Sequence, residues 1–391
     1  MPRRFDVAVV GSGPAGAACA LRLARFGFAV ALIDERAFPR PKLCGEYLNL
    51  GAVRELGELG LGDVLDATGS PLNGMRLFAH GEVADFAFSS SAYSVSREIL
   101  DERIRAEALA SGAQAIAGRL QSVARSDFGV ETTVLQPSGE ILEISTRYLV
   151  GADGMRSTVA RLCDLSAPVA DGRFAIGGHY EGLALSHWIE MYASGNGYIA
   201  LNPLTDESAN AVFVLSREHL MRARKDLGDE LTRFSVAVTD GSRRVENERL
   251  QGKRNSIGPI SVRTSQPAAK NVLLVGDAAA FVDPFTGQGV YLALSGARRA
   301  AAAISRALHH AAEERVAWRE YAADIRSAVM ERKRLAAMVK MLVTFGFAAR
   351  RAAAALRRRP ADFVPLIEAV CGNRPAPGRP ELALTIARAL R

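Results

Sequence analysis

The chain is poor in cysteine, histidine and tryptophan, and each shortage removes a class of function. Its four cysteines, Cys19, Cys44, Cys163 and Cys371, never fall into a C-x-x-C pair. Neither a thiol redox motif nor a disulfide framework is indicated, and a reducing cytoplasmic location is expected. The six histidines show no metal-ligand spacing. His309 and His310 are adjacent, so on a helix they diverge by about 100°, and no metal site is expected. A G-x-S-x-G elbow is missing, which argues against a Ser-His-Asp hydrolase. No run approaches the ~18 apolar residues that would span a membrane. Basic stretches lack interleaved aromatics, so nucleic acid is not an expected partner.

What is present begins at the N-terminus. Met1-Pro2-Arg3-Arg4 before an apolar run imitates a secretory leader, but the run reads better as a strand. Phe5 and Val7 to Val10 have the near-continuous apolar character of a parallel strand buried on both faces. Gly11-Ser12-Gly13-Pro14-Ala15-Gly16 follows, a G-x-G-x-x-G turn. Its first glycine permits a tight turn, its second a close approach of backbone to pyrophosphate, and its third close helix–strand packing. A helix over Ala15–Phe26 is closed by Gly27, with its N-terminal N–H groups aimed at phosphate. A strand over Phe28–Ile33 then delivers Asp34 and Glu35. An acid about 20 residues beyond the glycines is where a dinucleotide ribose needs an acceptor. Asp34 is the first choice for that contact, with Glu35 as its solvated neighbour.

The 391 residues suit two interleaved domains or one with a cap, and 49% hydrophobic with 23% charged residues is ordinary for a globular chain. Further along, a loop at Arg36–Tyr47, a hairpin at Met75–Phe88 about His80-Gly81, and a helix from Ser96 to Ala110 are predicted. Strands alternate through Gln121–Ile144, and Tyr148–Val150 reads as a separate short buried strand. Phe174–Tyr180, His187–Ala193, Gly197–Asn202 and Asn210–Ser216 follow as consecutive strands, an antiparallel sheet inserted into an α/β chain. Helices are expected over Arg217–Val238 and from Val290 onward, save a Pro-rich link at Asn373–Pro380.

Two more glycine-acid motifs each follow a buried strand: Gly151-Ala152-Asp153-Gly154 and Gly276-Asp277-Ala278-Ala279. A carboxylate at Asp277 could accept hydrogen bonds from ribityl hydroxyls, worth roughly 1.5–3 kcal/mol each. Asp283-Pro284-Phe285-Thr286-Gly287-Gln288-Gly289 leads into a helix over Val290–Leu308. Its N-terminal dipole favours negative charge by about 0.3–1 kcal/mol.

With these motifs the chain resembles the FAD-dependent superfamily of aromatic-hydroxylase-type monooxygenases, geranylgeranyl reductases and flavin halogenases, over residues 5 to about 310. The resemblance implies an α/β fold. A glutathione-reductase-type Rossmann FAD domain (1–74, 96–170 and 268–315) interleaves with an antiparallel β-sheet substrate domain (75–95 and 171–267), followed by a helical C-terminal region (316–391). The cofactor-binding set is Gly11, Gly13, Pro14, Ala15, Gly16, Asp34, Glu35, Arg36, Cys44, Arg97, Asp153, Gly276, Asp277, Pro284, Gly287, Gln288 and Gly289. Arg97 stands for the family's arginine near the pyrophosphate, Asp277 for the ribityl contact, and Pro284 with Gly287–Gly289 for the border of the isoalloxazine ring. Asp153 belongs to a motif serving FAD and NAD(P)H in the hydroxylases.

Candidate chemistry rests on Cys44, His179 and Pro284. His179 could face substrate as a base or be a satisfied core histidine. The first functional expectation is a monooxygenase that hydroxylates an aromatic or polyketide-like substrate through a flavin C4a-hydroperoxide. The alternative is a reductase of isoprenoid double bonds, for which Cys44 or Tyr47 would donate the proton. A halogenase or a non-catalytic chaperone of the same fold follows behind. Lys42-Leu43-Cys44-Gly45-Glu46 and Asp283-Pro284-Phe285-Thr286-Gly287 look most like the reductases and the monooxygenases near them, while Gly197-Tyr198-Ile199-Ala200-Leu201-Asn202-Pro203 lacks the tryptophan that reductases tend to have there. The halogenase W-x-W-x-I-P motif is missing, the only tryptophans being Trp188 and Trp318. One dinucleotide fingerprint serves FAD alone, so electrons come from NAD(P)H docking transiently or from an external reductant such as an electron-donor protein. The substrate is expected to be a hydrophobic small molecule, free or on a carrier protein.

Charge is the last feature. Of a net +7, the stretch Arg319–Arg359 alone contributes eleven Lys/Arg against three Asp/Glu. Leu335–Phe347 is apolar apart from Lys340 and Thr344, and lies between Arg332-Lys333-Arg334 and Arg350-Arg351. The pattern suits a helix packed on its apolar face, or a peripheral membrane contact.

Overall fold

In the computed structural model the N-terminal apolar run is the strand Arg3–Val10, in the middle of an eight-stranded sheet. The structure describes all residues except 168–171, 195–196, 223–225, 261–262, 345, 373, 376–377 and 391. Val30–Asp34 and Ile141–Gly151 flank the first strand, both parallel, with Val9 beside Leu32 on one side and Val150 on the other. Gln114–Ala117 and Val272–Leu274 extend the parallel set outward. Val7, Ala8 and Val9 are fully buried, as a strand covered on both faces requires. The helix Pro14–Arg25 packs beside Gly289–His309, and alanines such as Ala17, Ala18, Ala297 and Ala301 let the two approach closely.

The second sheet also has eight strands, in the order Leu250–Ile257, Phe174–Glu181, Ser208–Leu215, Gly197–Pro203, Trp188–Ser194, Ser70–Ala79, Glu82–Ser94 and Tyr47–Leu48. Two expectations are corrected here. The sheet is not wholly antiparallel, because Trp188–Ser194 runs parallel to Ser70–Ala79. The second of these strands belongs to the predicted hairpin, which turns at His80-Gly81 but extends beyond Met75–Phe88 at both ends. Tyr148–Val150 is not a separate strand either. It ends the eleven-residue strand Ile141–Gly151, whose first half pairs with the Val130–Leu135 strand before its second half enters the parallel sheet.

The predicted helical span Arg217–Val238 is two helices, Arg217–Arg222 and Leu227–Val238. Helices Glu314–Thr344, Gly346–Arg358 and Val364–Val370 then fold over the hairpin, with Leu335, Met338, Leu356 and Phe363 packing toward Ala84 and Phe86. Asn373, in the predicted Pro-rich link, and the expected boundary at 170–171 lie outside the described residues. The architecture is mixed α/β. Among the described residues no helix is long and apolar enough to cross a membrane.

Because Leu32 is 1% exposed between two parallel neighbours, Leu32→Ala should cost about 2–5 kcal/mol. Chemical denaturation of the two proteins would show this as a lower midpoint at unchanged slope.

Candidate active site

Three parallel strand ends meet at one sheet edge and bring the glycine motifs together. Gly11 has φ +100°, and a Cβ there would lie 2.5 Å from the Ala152 carbonyl oxygen. At Gly16 it would lie 1.8 Å from the Gly11 carbonyl oxygen, so neither position accepts a side chain. Gly13 is different: a Cβ would meet nothing within 4 Å. That open space lies at the start of the Pro14–Arg25 helix, where Pro14 and Ala15 turn inward, and where backbone N–H groups favour a phosphate.

Asp34 accepts the Ser12 N–H at 2.7 Å on Oδ2 and the Arg36 N–H at 3.0 Å on Oδ1. Each oxygen keeps a lone pair for a ribose hydroxyl. The Glu35 and Arg36 side chains lie outward and exposed, 3.9 Å apart. Asp153 is committed locally. It accepts from Ser157 Oγ at 2.5 Å and from the Thr158 and Val159 N–H groups at 2.6 and 3.1 Å, holding the start of the helix Thr158–Leu162.

Gly276, at φ +59°, sits against Ala15, since a Cβ would be 2.8 Å from the Ala15 methyl. The neighbouring Asp277 carboxyl is pushed up by burial and pulled back by Lys42 and Arg97. Lys42 escaped the sequence reading. Burial lowers its pKa, as do the fields of Arg97 and Arg40, while Asp277 counteracts them. Arg97 is buried and donates two 2.7 Å hydrogen bonds to Asp101. Burial opposes its charge, but Asp101 outweighs that and keeps the guanidinium ionised; it also reaches the Cys44 thiol. Lys42 and Arg97 thus gather positive charge beside Asp277, with Arg40 near Lys42 and 3.7 Å from the Asp34 carboxylate, a charge pattern suited to a pyrophosphate.

The loop Cys44–Glu46 fastens this edge to the second sheet. Asn210 and Asn202 donate to the Cys44 and Gly45 carbonyls at 2.6 and 2.9 Å. The buried Glu46 carboxylate accepts the Arg97 backbone N–H at 2.9 Å and lies 2.8 Å from His179 Nε2. The Glu46 hydrogen bond raises the His179 pKa, against burial. His179 is therefore partnered by a carboxylate within this clasp.

Beyond the clasp lies a cavity of about 120 Å³, between the Ser70–Ser94 hairpin and the C-terminal helices. Sixteen of its twenty lining residues are apolar; Tyr47, Glu82, Thr286 and Cys371 are the others. Phe285 and Thr286 on its wall belong to the short turn Pro284–Thr286, capped by the Asp283 carboxylate, which accepts the Phe285 N–H at 3.1 Å. Gly287, at φ +61°, lies against the Tyr47 ring, and a Cβ would be 2.5 Å from it. Gln288 is buried at the start of the Gly289–His309 helix and donates to the Val370 carbonyl. Cys44 and His179 do not line the cavity, whereas the turn after Pro284 does.

The residues fit FAD on these observations. Gly13 leaves open space, two cations converge by Asp277, and Arg40 Nε, Thr286 Oγ1 and Gln288 Oε1 are buried without a hydrogen-bond partner among the described residues. Unpaired buried polar atoms are costly, so a ligand that pairs them binds with advantage.

Two substitutions separate the glycine roles. Gly13→Ala should fold like the parent yet hold FAD at least ten-fold more weakly, while Gly16→Ala should lower the melting temperature even without FAD; flavin titration and thermal melts check both. The clasp adds a pH signature. With its folded pKa raised, His179 contributes stability that is complete below about pH 6.5, its unfolded value, and is lost as pH rises through the folded value. Melting curves across that window should flatten in His179→Gln.

A model described as an FAD binding domain matches residues 4–334. A menaquinone reductase of Mycolicibacterium smegmatis is 30% identical over 328 residues, covering 77% of this chain and 76% of that protein. A digeranylgeranylglycerophospholipid reductase of Methanospirillum hungatei is 26% identical over 309 residues, 75% of this chain and 74% of its own. Among solved structures, a triple mutant of a flavin-dependent brominase superposes with a TM-score of 0.81 at 21% identity, covering 97% of each chain, a likeness of fold. With the glycine cradle, the cation cluster and the family match in agreement, the chain belongs to the FAD binding domain family of FAD-dependent oxidoreductases.

Proposed function

We propose that the chain is an FAD-dependent reductase that saturates a carbon–carbon double bond in a lipophilic, isoprenoid-type substrate. In this reading a glutathione-reductase-type FAD domain is formed by residues 1–74, 96–170 and 268–315, the substrate domain by 75–95 and 171–267, and 316–391 cover the substrate. The observation that carries the proposal is the apolar cavity walled by Phe285 and Thr286. An isoprenoid chain offers no hydrogen bond, so a site for it must supply area and dryness, at about 25 cal/mol per Å² of apolar surface covered. The reductase names of the two relatives support this reading over the hydroxylation expected first. The missing W-x-W-x-I-P motif weighs against halogenation.

Bound FAD, reduced by NAD(P)H or by an electron-donor protein, supplies the hydride. The chain's own residues do the rest. Gly11–Gly16, Asp34, Lys42, Arg97 and Asp277 hold the cofactor, and Thr286 and Gln288 offer polar atoms at its ring. The C-terminal helices keep water away, so that electrostatic interactions inside are strengthened. Tyr47 is the proton donor of this reading. It lines the cavity, its hydroxyl lies 3.8 Å from Cys371 Sγ, and burial, then Cys371, raises its pKa well above 10, so it carries its proton at neutral pH.

Anaerobically reduced holoprotein mixed with a geranylgeranyl lipid should be reoxidised, and the lipid should gain two hydrogens by mass spectrometry. Gain of an oxygen atom only in air would overturn the proposal. Tyr47→Phe should bind FAD normally and slow reoxidation by roughly 10²–10⁴-fold.

A further inference from the structure

We infer that the outward face of the two helices closing the cavity docks on an anionic lipid bilayer. The apolar run Leu335–Phe347 is only partly that face, because Leu335, Ala336 and Met338 are buried against the protein. Nor is every flanking base solvated: Arg332 is buried, lies over the Tyr291 ring at 5.3 Å and donates to the Ala369 carbonyl. What remains outward is a different set. On Glu314–Thr344, Lys333, Arg334, Ala337 and Met341 are exposed, at spacings of three and four that share one side, while the exposed Lys340 lies 3.8 Å from the Asp283 carboxylate. On Gly346–Arg358, Phe347, Arg350, Arg351 and Arg358 repeat the pattern, whereas Arg357 turns back to the hairpin and donates to the Glu82 carboxylate at 3.1 Å and the Val83 carbonyl at 3.3 Å.

Charge complementarity selects the occupant. The surface carries the excess of Lys and Arg that gives the chain its positive charge, and basic residues near an anionic leaflet each strengthen binding. Apolar side chains stand among them: Phe347 is 61% exposed with the Arg351 guanidinium 4.8 Å over its ring, and Met341 is 38% exposed. Nucleic acid or an acidic protein would account for the cations but not for these; the acyl boundary of a bilayer accounts for both.

The opposite face of the same helices strengthens the assignment. Val339, Ala349, Ala353 and Leu356 line the cavity, so one helix, about 10 Å across, separates the bilayer-facing side from the substrate space. Small alanine side chains make that wall thin. A lipophilic substrate could then pass from bilayer to cavity without crossing water. This delivery role rests on the lipophilic-substrate reading above; the docking itself does not.

The test uses the FAD-loaded full chain and vesicles without isoprenoid lipids, so that a failed reduction assay and a failed docking assay are separable. It should sediment with phosphatidylglycerol vesicles at low salt, be released as salt rises, and stay in solution with phosphatidylcholine vesicles. Arg350→Gln/Arg351→Gln/Arg358→Gln should weaken binding on the order of a hundred-fold, at about five-fold per charge, with an unchanged flavin spectrum and melting temperature. Phe347→Ser should weaken binding while leaving its salt dependence in place. No sedimentation with phosphatidylglycerol, equal binding to both vesicles, or full binding by the triple variant would overturn the inference.

Discussion

A buried carboxylate must be paired, and in this protein the pairing of Glu46 sets the position of everything around the site. The side chain is 5% exposed and so poorly solvated. Its oxygens are satisfied from two directions, by the Arg97 backbone N–H at the start of the helix Arg97–Ala110 and by His179 on the second sheet. Removing the His179 side chain would leave one oxygen of this carboxylate without that partner in a poorly solvated place, which is destabilising. The two sheets are thereby tied through one short loop. Cys44, two residues before Glu46, lies by Arg97, and Tyr47, the next residue, lies on the cavity wall.

The cation cluster obeys the same rule with a different outcome. Arg97 has its full partner in Asp101, so its charge is settled within the protein. Lys42 has no such partner among the described residues. Its pKa falls through burial and through the like charges of Arg97 and Arg40, which Asp277 offsets only in part. A site with that imbalance gains from an added anion, and the gain grows as water is excluded. The pyrophosphate of a dinucleotide would be such an anion.

How much of this the sequence discloses follows from the range of the interactions. The glycine turn, its strand and helix, and Asp34 lie within thirty-odd consecutive residues, and period and spacing reveal them together. The hairpin about His80-Gly81 is legible for the same reason, though its ends are not, since strand length depends on neighbours far along the chain. The clasp is invisible in sequence. Asn202, Asn210 and His179 meet the Cys44–Glu46 loop from 133 to 166 residues away, and no periodicity links them. Asp153 shows the converse: a motif singles it out, while local hydrogen bonds to Ser157, Thr158 and Val159 occupy its carboxylate. The parallel pairing of Trp188–Ser194 with Ser70–Ala79 is likewise a long-range choice, made across more than a hundred residues.

The cavity is the least legible part and the one on which chemistry depends most. Its walls come from a hairpin near residue 80 and helices beyond residue 339, and each segment taken alone reads as ordinary amphipathic structure. Only when the helices fold over the hairpin does the apolar space acquire its fourth side. That assembly explains why a basic, alanine-rich tail belongs to the site. Alanines facing inward leave volume that leucines would fill, and arginines facing outward keep the tail from burying its other side. The amphipathic pattern of these helices therefore serves the cavity, with apolar side chains lining it and charged ones facing outward.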